Sequence, residues 1–156
     1  MWEIISQELS RGLPDTSEFI RVSLRLILAM ILGGIIGMER EQNDKPAGLR
    51  THILVAMGSA LFVIVPLELG ISMGEISRTV QGVATGIGFL GAGAIVKQSA
   101  TDDVKGLTTA AGIWLTAGVG VALGLGSLGI ALLAVLLTWV TLAIVGYIKL
   151  KLEAKA

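Results

Sequence analysis

Residues 19–38 read FIRVSLRLILAMILGGIIGM, and this stretch decides the fold class. It is about 20 residues long and mainly apolar, which is what an α-helix needs to cross the hydrocarbon core of a bilayer. Its two arginines lie in its first third, and the charged residues Glu39 and Arg40 follow directly. The stretch therefore predicts a membrane-spanning helix that ends at Met38.

Four more apolar stretches of similar length follow, at 53–71, 79–96, 107–123 and 127–148. Together with the first, they predict an all-α polytopic membrane protein of about five transmembrane helices, with Gly-rich helix packing. The whole chain, 1–156, is expected to form one domain. Only residues 124–126 separate the last two stretches, which predicts a tight antiparallel hairpin.

The composition excludes several classes of protein. Of the residues, 53% are hydrophobic and 15% are charged, whereas a soluble domain carries about 25% charged residues. The absence of cysteine and the single histidine exclude thiolate chemistry and a multi-histidine zinc site in one copy. Twelve basic and twelve acidic residues give no net field to attract nucleic acid. No nucleophile–base arrangement is visible, so we expect no enzyme.

The distribution of lysine and arginine predicts the orientation in the membrane. Eight of them flank the ends that include loops 39–52 and 97–106, and four flank the opposite ends. The positive-inside rule then predicts a cytoplasmic C-terminus and an N-terminus on the outer side. The first 18 residues contain four acids and no cleavage site, so they do not resemble a signal peptide. They fit either a short amphipathic interfacial helix or a frayed terminus.

The glycines indicate helix packing. Residues 86–91, GIGFLG, match the dinucleotide-binding pattern, but at membrane depth the amides of such a loop would be unsatisfied, so we expect no nucleotide site. Glycines four residues apart predict close helix–helix contact, and they occur as Gly33/Gly37, Gly82/Gly86 and Gly120/Gly124. The third helix has small residues on nearly every face, so we expect it to be central. This much small-residue surface also predicts a homo-oligomer, with a dimer favoured.

Two charges share one face of the first helix. Glu39 follows Arg25 by 14 positions, close to four turns. Three readings stay open for Arg25: a structural ion pair with Glu68, snorkelling to the outer interface, or a functional site. For Glu39, the expected partner is Arg50 or Lys105, and a functional role is favoured because it lies at the wet cytoplasmic end.

Polar and small residues form stripes on the third and fourth helices. The stripe on the third helix is Arg78, Gln81, Thr85, Gly88 and Ala92, and that on the fourth is Thr109, Gly112, Thr116 and Gly120. Facing stripes would form a narrow hydrated groove, but the threonines could equally bond to their own helix carbonyls.

Acidic residues gather at the cytoplasmic rim. Carboxylate oxygens there suit Mg²⁺ or Ca²⁺, while interspersed basic residues are equally typical of a solvated charged surface. We therefore expect no cofactor and leave Mg²⁺ binding open. The acids are Glu39, Glu41, Asp44, Asp102 and Asp103.

Four motifs in register resemble those of the MgtC/SapB membrane family. They are GGIIGMERE at 33–41, PAGLRTH at 46–52, GIGFLGAGAI at 86–95 and GLTTAAGIW at 106–114. The resemblance covers about residues 20–125. It implies a bacterial inner-membrane protein of about five helices, linked to magnesium or membrane-energy homeostasis. We expect it to act by binding or modulating a membrane partner. The alternative is an oligomeric secondary transporter or channel for an ion or small solute.

The resemblance also implies which positions matter. They are Arg25, Glu39, Arg40, Arg50, Thr51, Gly88, Gly91, Gly93, Thr108 and Thr109. The last apolar stretch lies close to the C-terminus, so the chain is expected to belong to the short SapB-like branch, without the soluble C-terminal domain of longer members.

Overall fold

Six α-helices make up most of the structure, a computed structural model that describes residues 1–11, 15–97 and 104–145. They are α1 (Trp2–Arg11), α2 (Thr16–Gln42), α3 (Leu49–Glu68), α4 (Met73–Gly93), α5 (Leu107–Gly124) and α6 (Leu128–Val140). A π-helical turn, Thr141–Val145, continues α6. A two-residue antiparallel ladder joins β1 (Val96–Lys97) to β2 (Val104–Lys105) between α4 and α5. The predicted all-α class is confirmed.

Three helices have the length and composition of membrane spans: α2, α3 and α5. The shorter apolar helix α6 has 13 residues before its π-helical continuation. A helix is also present at the remaining predicted span, but α4 is not among the helices that are long and apolar enough to cross by composition. Its connections to α3 and α5 show how it runs relative to the three candidate spans.

The first helix of the bundle begins at a capping box. The Asp15 carboxylate accepts hydrogen bonds from the Glu18 amide at 2.7 Å and the Ser17 hydroxyl at 2.8 Å. In return, the Asp15 amide donates to the Glu18 carboxylate at 3.3 Å. These bonds occupy backbone donors that the first turn of a helix cannot otherwise satisfy. The box fixes the start of α2 at Thr16, three residues before the predicted apolar stretch.

The cap makes the first turn of α2 sensitive to acid. The hydrogen bond from the Glu18 backbone amide, followed by the one from the Ser17 hydroxyl, holds the pKa of Asp15 below its ordinary value of 3.8. The stabilisation is complete above that ordinary value and is lost as the pH falls through the lower folded-state pKa. We expect the Glu18 amide to exchange faster below that point, after correction for intrinsic exchange. An Asp15→Asn control should remain protected because Asn caps without titrating. Identical pH profiles for the two proteins would contradict the cap.

Close backbone contacts set the directions of the three central helices. A Cβ placed on Gly120 of α5 would lie 2.2 Å from the Ala56 carbonyl oxygen of α3, and one on Gly124 would lie 2.8 Å from that of Ala60. Moving four residues along α5, from Gly120 to Gly124, moves the contact four residues along α3, from Ala56 to Ala60. Helices α3 and α5 therefore run parallel. On α2, a Cβ on Gly33 would lie 2.7 Å from the His52 carbonyl oxygen. Glycine is needed at these positions because any side chain would hold the helices apart.

The main core lies where α2, α3, α5 and α6 meet, and it combines small with branched residues. Alanines at the closest approaches let branched side chains from neighbouring helices fill the remaining space. The buried members are Ala29, Leu32, Ile36, Ala56, Ala60, Ile64, Val119, Leu123, Ala131 and Val135.

The expectation that the third predicted span is central is wrong. Among the residues of α4, only Ile76 and Gly91 are buried, and the helix packs from outside onto α5 and α3. Cβ atoms on Gly82 or Gly86 would meet nothing within 4 Å in this chain. A pattern of small residues shows that a helix can approach another closely, but it does not say which helix.

The connections of α4 show that it runs the length of the bundle. Helices α3 and α5 start at the same end of the bundle, so α4 must return the chain from the end of α3 to the start of α5. The end of α4 lies beside the start of α5, because a Cβ on Gly106 would overlap the Ala94 carbonyl. At about 1.5 Å per residue, the 21 residues of α4 measure about 30 Å, close to the bilayer core thickness.

Candidate functional site

A polar group, here called the rim network, closes the end of α2 and consists of the buried residues Glu39 and Arg40 and the exposed residue Asn43. Glu39 is 9% exposed and Arg40 is 4% exposed. Arg40 Nε donates to Glu39 Oε2 at 2.5 Å, and Asn43 Nδ2 donates to Glu39 Oε1 at 3.0 Å. The expected partners of Glu39, Arg50 and Lys105, are both exposed. The prediction is wrong because the adjacent arginine folds back onto the carboxylate.

Glu41, the next acidic residue in the sequence, caps the N-terminus of α3. Glu41 Oε2 accepts a hydrogen bond from the Leu49 amide at 2.7 Å, at the start of α3. The N-cap of α3 is Gly48, which has no side chain to cap that helix. Glu41 therefore supplies the missing acceptor from the end of α2, and negative charge at a helix N-terminus is favourable. Two acids of the predicted rim thus have structural partners.

His52 lies fully buried between α3 and α5, and sequence reasoning did not select it. Its Nδ1 is 2.7 Å from Thr116 Oγ1, and that hydroxyl donates to the Gly112 carbonyl at 2.8 Å. The donor in the His52–Thr116 bond depends on the tautomer of the ring. With the hydroxyl hydrogen on the Gly112 carbonyl, Thr116 accepts from the ring, and the histidine hydrogen lies on Nδ1. Nε2 is then a bare lone pair, buried without a hydrogen-bond partner among the described residues. Such an unpaired polar atom costs about 1–3 kcal/mol.

The two predicted stripes do not face each other. Thr109, Thr116 and Gly120 on α5 are buried, and Thr116 and Gly120 contact α3. The stripe on α4 is exposed along its length. The predicted groove between the stripes is therefore absent from the described part of the bundle. Thr116 bonds to a carbonyl of its own helix, as one of the two predicted alternatives has it, and it also bonds to His52 on α3.

Arg25 has a backbone partner and not the predicted carboxylate. Its Nη1 donates to the Gly124 carbonyl at 2.8 Å, and its guanidinium lies beside Gly126 in the turn between α5 and α6. Glu68 is exposed and forms no ion pair with Arg25. The last carbonyls of a helix lack intrahelical donors and carry negative partial charge. Arg25 therefore ties α2 to the end of α5.

The remaining predicted site residues divide between the surface and the α4–α5 contact. Gly91 is buried, and a Cβ there would meet Ala110 at 3.5 Å. Thr109 is buried and Thr51 is half-buried, whereas Thr108 is exposed. The exposed candidates on α4 are Arg78, Gln81, Gly88 and Gly93.

A metal site receives no support from the described acids. Among residues 1–11, 15–97 and 104–145, no group of three or more histidine, cysteine or acidic side chains is placed to hold an ion. Glu39 is already engaged by Arg40 and Asn43. Asp102 and Asp103, which completed the predicted acidic rim, lie outside the described residues.

An apolar groove of about 570 Å³ lies between α3 and α4 at the opposite end of the bundle from the rim network. Phe62, Val65 and Pro66 of α3 line it, together with Ile71 and Thr79. The groove is almost wholly apolar and open to the surroundings. It continues the exposed surface of α4 towards α3.

The sequence profile of the MgtC family matches residues 26–150. The chain belongs to the MgtC family. The predicted resemblance is thus confirmed, and with the apolar helices it makes this a bacterial membrane protein.

Several curated relatives share much of this MgtC-family chain. It is 46% identical over 137 residues to protein SrpB of Synechococcus elongatus, covering 81% of this chain and 75% of SrpB. It is 42% identical over 147 residues to YhiD of Escherichia coli, named as a candidate magnesium transporter, covering 90% of this chain and 66% of YhiD. It is 43% identical over 114 residues to MgtC of Salmonella typhimurium, covering 73% of this chain and 48% of MgtC. No solved structure matches the chain.

The four motifs that carry the MgtC-family resemblance meet at one end of the bundle. Segment 33–41 ends α2, segment 46–52 begins α3, segment 86–95 ends α4 and segment 106–114 begins α5. The rim network and His52 belong to the first two segments, and Gly112, beside the histidine ring, belongs to the last. This end is therefore the candidate functional end of the molecule.

Proposed function

We propose that the protein acts in bacterial magnesium homeostasis as a dimeric membrane regulator that binds a membrane partner and does not conduct ions through one copy. The link to magnesium rests on the names of its relatives. The regulatory role rests on one contrast in the structure. The interior of the single chain is closed, while α4 presents a polar, glycine-containing face to its surroundings.

The closed interior comes from direct backbone contact. Along the central helices, hypothetical Cβ atoms on Gly37 and Gly120 would lie 2.7 Å and 2.2 Å from atoms of the neighbouring backbone. Separations this short leave no room for a hydrated path between α2, α3 and α5 in the described bundle. A regulator needs no such path, whereas a conducting protein would have to form one between copies.

The outer face of α4 is the exposed surface at which we place a partner protein. It consists of exposed residues at helical spacing: Arg78, Gln81, Gly82, Thr85, Gly86 and Phe89. Gln81 is the ninth residue of α4, about 12 Å from the helix start at 1.5 Å per residue. An amide at that depth loses its hydrogen bonds to water if it faces lipid. Contact with another protein would restore them.

A second copy of this chain fits that face. Copies inserted in one direction are related by an axis along the membrane normal, so Gln81 meets Gln81 at the same depth. The amide both donates and accepts, so it can pair with itself. Phe89 is 87% exposed, and Gly86, one turn away, leaves a hollow for the ring from the other copy. Gly82 and Gly86 allow close backbone approach.

The functional test is growth in low magnesium of a bacterium lacking its own MgtC-family protein. We expect Gly82→Leu to reach the membrane at the parental level and to lose most complementation, because leucine blocks the outer face of α4. The matched control is Gly118→Leu on α5, another exposed glycine with nothing within 4 Å of its Cβ position. Parental growth with Gly82→Leu would contradict the proposed function.

An oligomeric transporter for Mg²⁺ or another small solute is the second candidate. The observation that favours it is the outward polar set of Arg78, Gln81 and Thr85, which would line a path between copies. Mg²⁺ entry into proteoliposomes, measured with a trapped indicator, separates the two functions. A regulator gives the flux of empty liposomes, whereas a transporter gives faster flux that Gly82→Leu abolishes.

For orientation, we propose that the end with the rim network faces the cytoplasm, on the basis of the lysine and arginine count. The chain has no cysteine, so Lys45→Cys in the exposed α2–α3 loop and Met73→Cys at the opposite end are single labelling sites. We expect an impermeant maleimide to label Met73→Cys in intact cells and Lys45→Cys only after permeabilisation. The reverse pattern would overturn the orientation. Ser99, in the other cytoplasmic loop of the sequence prediction, lies outside the described residues.

A further inference from the structure

We propose that Nε2 of His52 is a reversible proton-binding site, built into the packing of α3 against α5 and supplied from the end of the bundle that carries the rim network. The inference goes beyond the proposed function and does not depend on dimerisation. Its ligand is a proton from water.

The hydrogen bonds from His52 to Thr116 and from Thr116 to Gly112 leave Nε2 of the ring free to bind a proton. In the tautomer that we assign, Thr116 accepts a hydrogen bond from Nδ1–H and donates its hydroxyl hydrogen to the Gly112 carbonyl. The opposite nitrogen therefore keeps its lone pair, and the imidazole cannot change tautomer without breaking those hydrogen bonds. Nε2 is buried and unpartnered among the described residues. An apolar side chain would fill the same space without leaving a basic atom free.

The position of the ring makes the site accessible from one side. His52 is the fourth residue of α3, so it lies about 5 Å from the helix start at 1.5 Å per residue. The loop between α2 and α3 lies directly beyond it. Residues 43 to 46 of that loop are exposed, and Ala47 is buried. A proton therefore has about one helical turn to travel from water to the ring.

The charged groups that act on the ring are few. Arg40 of α2, which has the larger effect, opposes a positive charge on the ring, and Glu39 of α2 favours it. The backbone carbonyl of Ala47, in the α2–α3 loop, also acts on the ring as a hydrogen-bond acceptor. From α5 it meets Thr116 and Gly112, neither of which titrates, and Arg50 on its own helix is exposed.

Protonation changes the ring in a defined way. The proton adds to the Nε2 lone pair, the Nδ1 hydrogen stays on Thr116, and no existing hydrogen bond has to break. The product is an imidazolium with a new N–H donor and one positive charge. Glu39 is the carboxylate within its electrostatic reach, and that carboxylate is already bonded to Arg40. The charged ring is therefore repelled by Arg40 and attracted by Glu39, so protonation changes the electrostatic field at the rim network.

The test uses the fact that this chain has a single histidine. Nitrogen-15 spectra of the imidazole, recorded on the full chain in lipid nanodiscs, distinguish a protonated from a bare nitrogen directly. At about pH 8 we expect a protonated Nδ1 and a bare Nε2. On acidification, both nitrogens should reach imidazolium values reversibly while the backbone spectrum stays folded. A hydrogen on Nε2 at the higher pH, or a ring that stays neutral until the protein unfolds, would overturn the proposal.

Thr116→Val is the matched variant, because valine keeps the shape of threonine and removes the hydroxyl. We expect it to lose the fixed tautomer, so that at least a several-fold larger fraction of the ring carries its hydrogen on Nε2. An unchanged tautomer would show that Thr116 does not hold the ring and would count against the site. If the variant does not fold, the titration of the parent chain alone still decides whether Nε2 takes a proton.

Discussion

Gly120→Ala is expected to remove most of the folded protein from the membrane. Its new Cβ would lie 2.2 Å from the Ala56 carbonyl oxygen and 2.9 Å from Ser59 Cβ. Helix α3 cannot move away freely, because Ala56 and His52 of α3 are also in close contact with Gly33 of α2. Overpacking of this kind costs about 1–3 kcal/mol, occasionally more. Fluorescence-detected size exclusion and thermal melting of the detergent-solubilised protein measure the loss.

Gly118→Ala is the control for this prediction. Gly118 lies in the same helix two positions earlier, and its Cβ would meet nothing within 4 Å. Because alanine favours helix by up to about 1 kcal/mol over glycine, this variant should be as stable as the parent or slightly more so. Equal behaviour of the two variants would show that α3 and α5 are not in backbone contact.

Breaking the Glu39–Arg40 pair should have the second large effect. Arg40→Gln leaves the Glu39 carboxylate buried without its cation, and such a loss costs about 3–5 kcal/mol. We expect a strongly lowered melting temperature and low folded yield. The double variant Glu39→Gln/Arg40→Gln should recover a substantial part of the stability, because it leaves no buried charge unpaired. The same melting assay measures all three proteins.

The control for the pair is Arg50→Gln, which removes one of the two partners, Arg50 or Lys105, that the sequence predicts for Glu39. Arg50 is exposed, and removing an exposed charge changes stability by about 1 kcal/mol or less. If Arg50→Gln destabilises the protein as much as Arg40→Gln, or if the double variant recovers nothing, the pairing described here is wrong. The outcome also bears on the functional role predicted for Glu39, because that prediction assumes a solvent-exposed end of α2.

Helix packing was predictable where glycine spacing coincided with a neighbour in the chain. The pairs Gly33/Gly37 and Gly120/Gly124 do lie at backbone contacts, as the spacing predicts. The pair Gly82/Gly86 has the same spacing, yet it faces outwards. Glycine spacing in the sequence predicts that another helix can pack closely against that face. It does not predict which helix packs there, because that depends on how all the helices are arranged.

Charge partners were less predictable than packing. Depth along a helix suggested Glu68 for Arg25, but the long arginine side chain reaches a carbonyl at the end of α5. Sequence reasoning counts side-chain charges and overlooks backbone carbonyls, which carry unmet hydrogen-bonding capacity at helix ends. The same reasoning missed His52, although a signal was present. A lone histidine in the first turn of an apolar helix needs a polar partner, and Thr116 stood in the stripe already recognised on α5.

The measurement that tests the central claim most directly is a cysteine cross-linking scan of α4 in native membranes. The parent has no cysteine, so every cross-linked dimer reports the position introduced. We predict dimers from cysteines at Gln81, Thr85 and Phe89, on the outer face of α4, and none from Val83 or Ile87, which pack inwards against the core cluster that contains Ile113. Dimers at none of these positions, or equally at all of them, would contradict the claim that the outer face of α4 joins two copies.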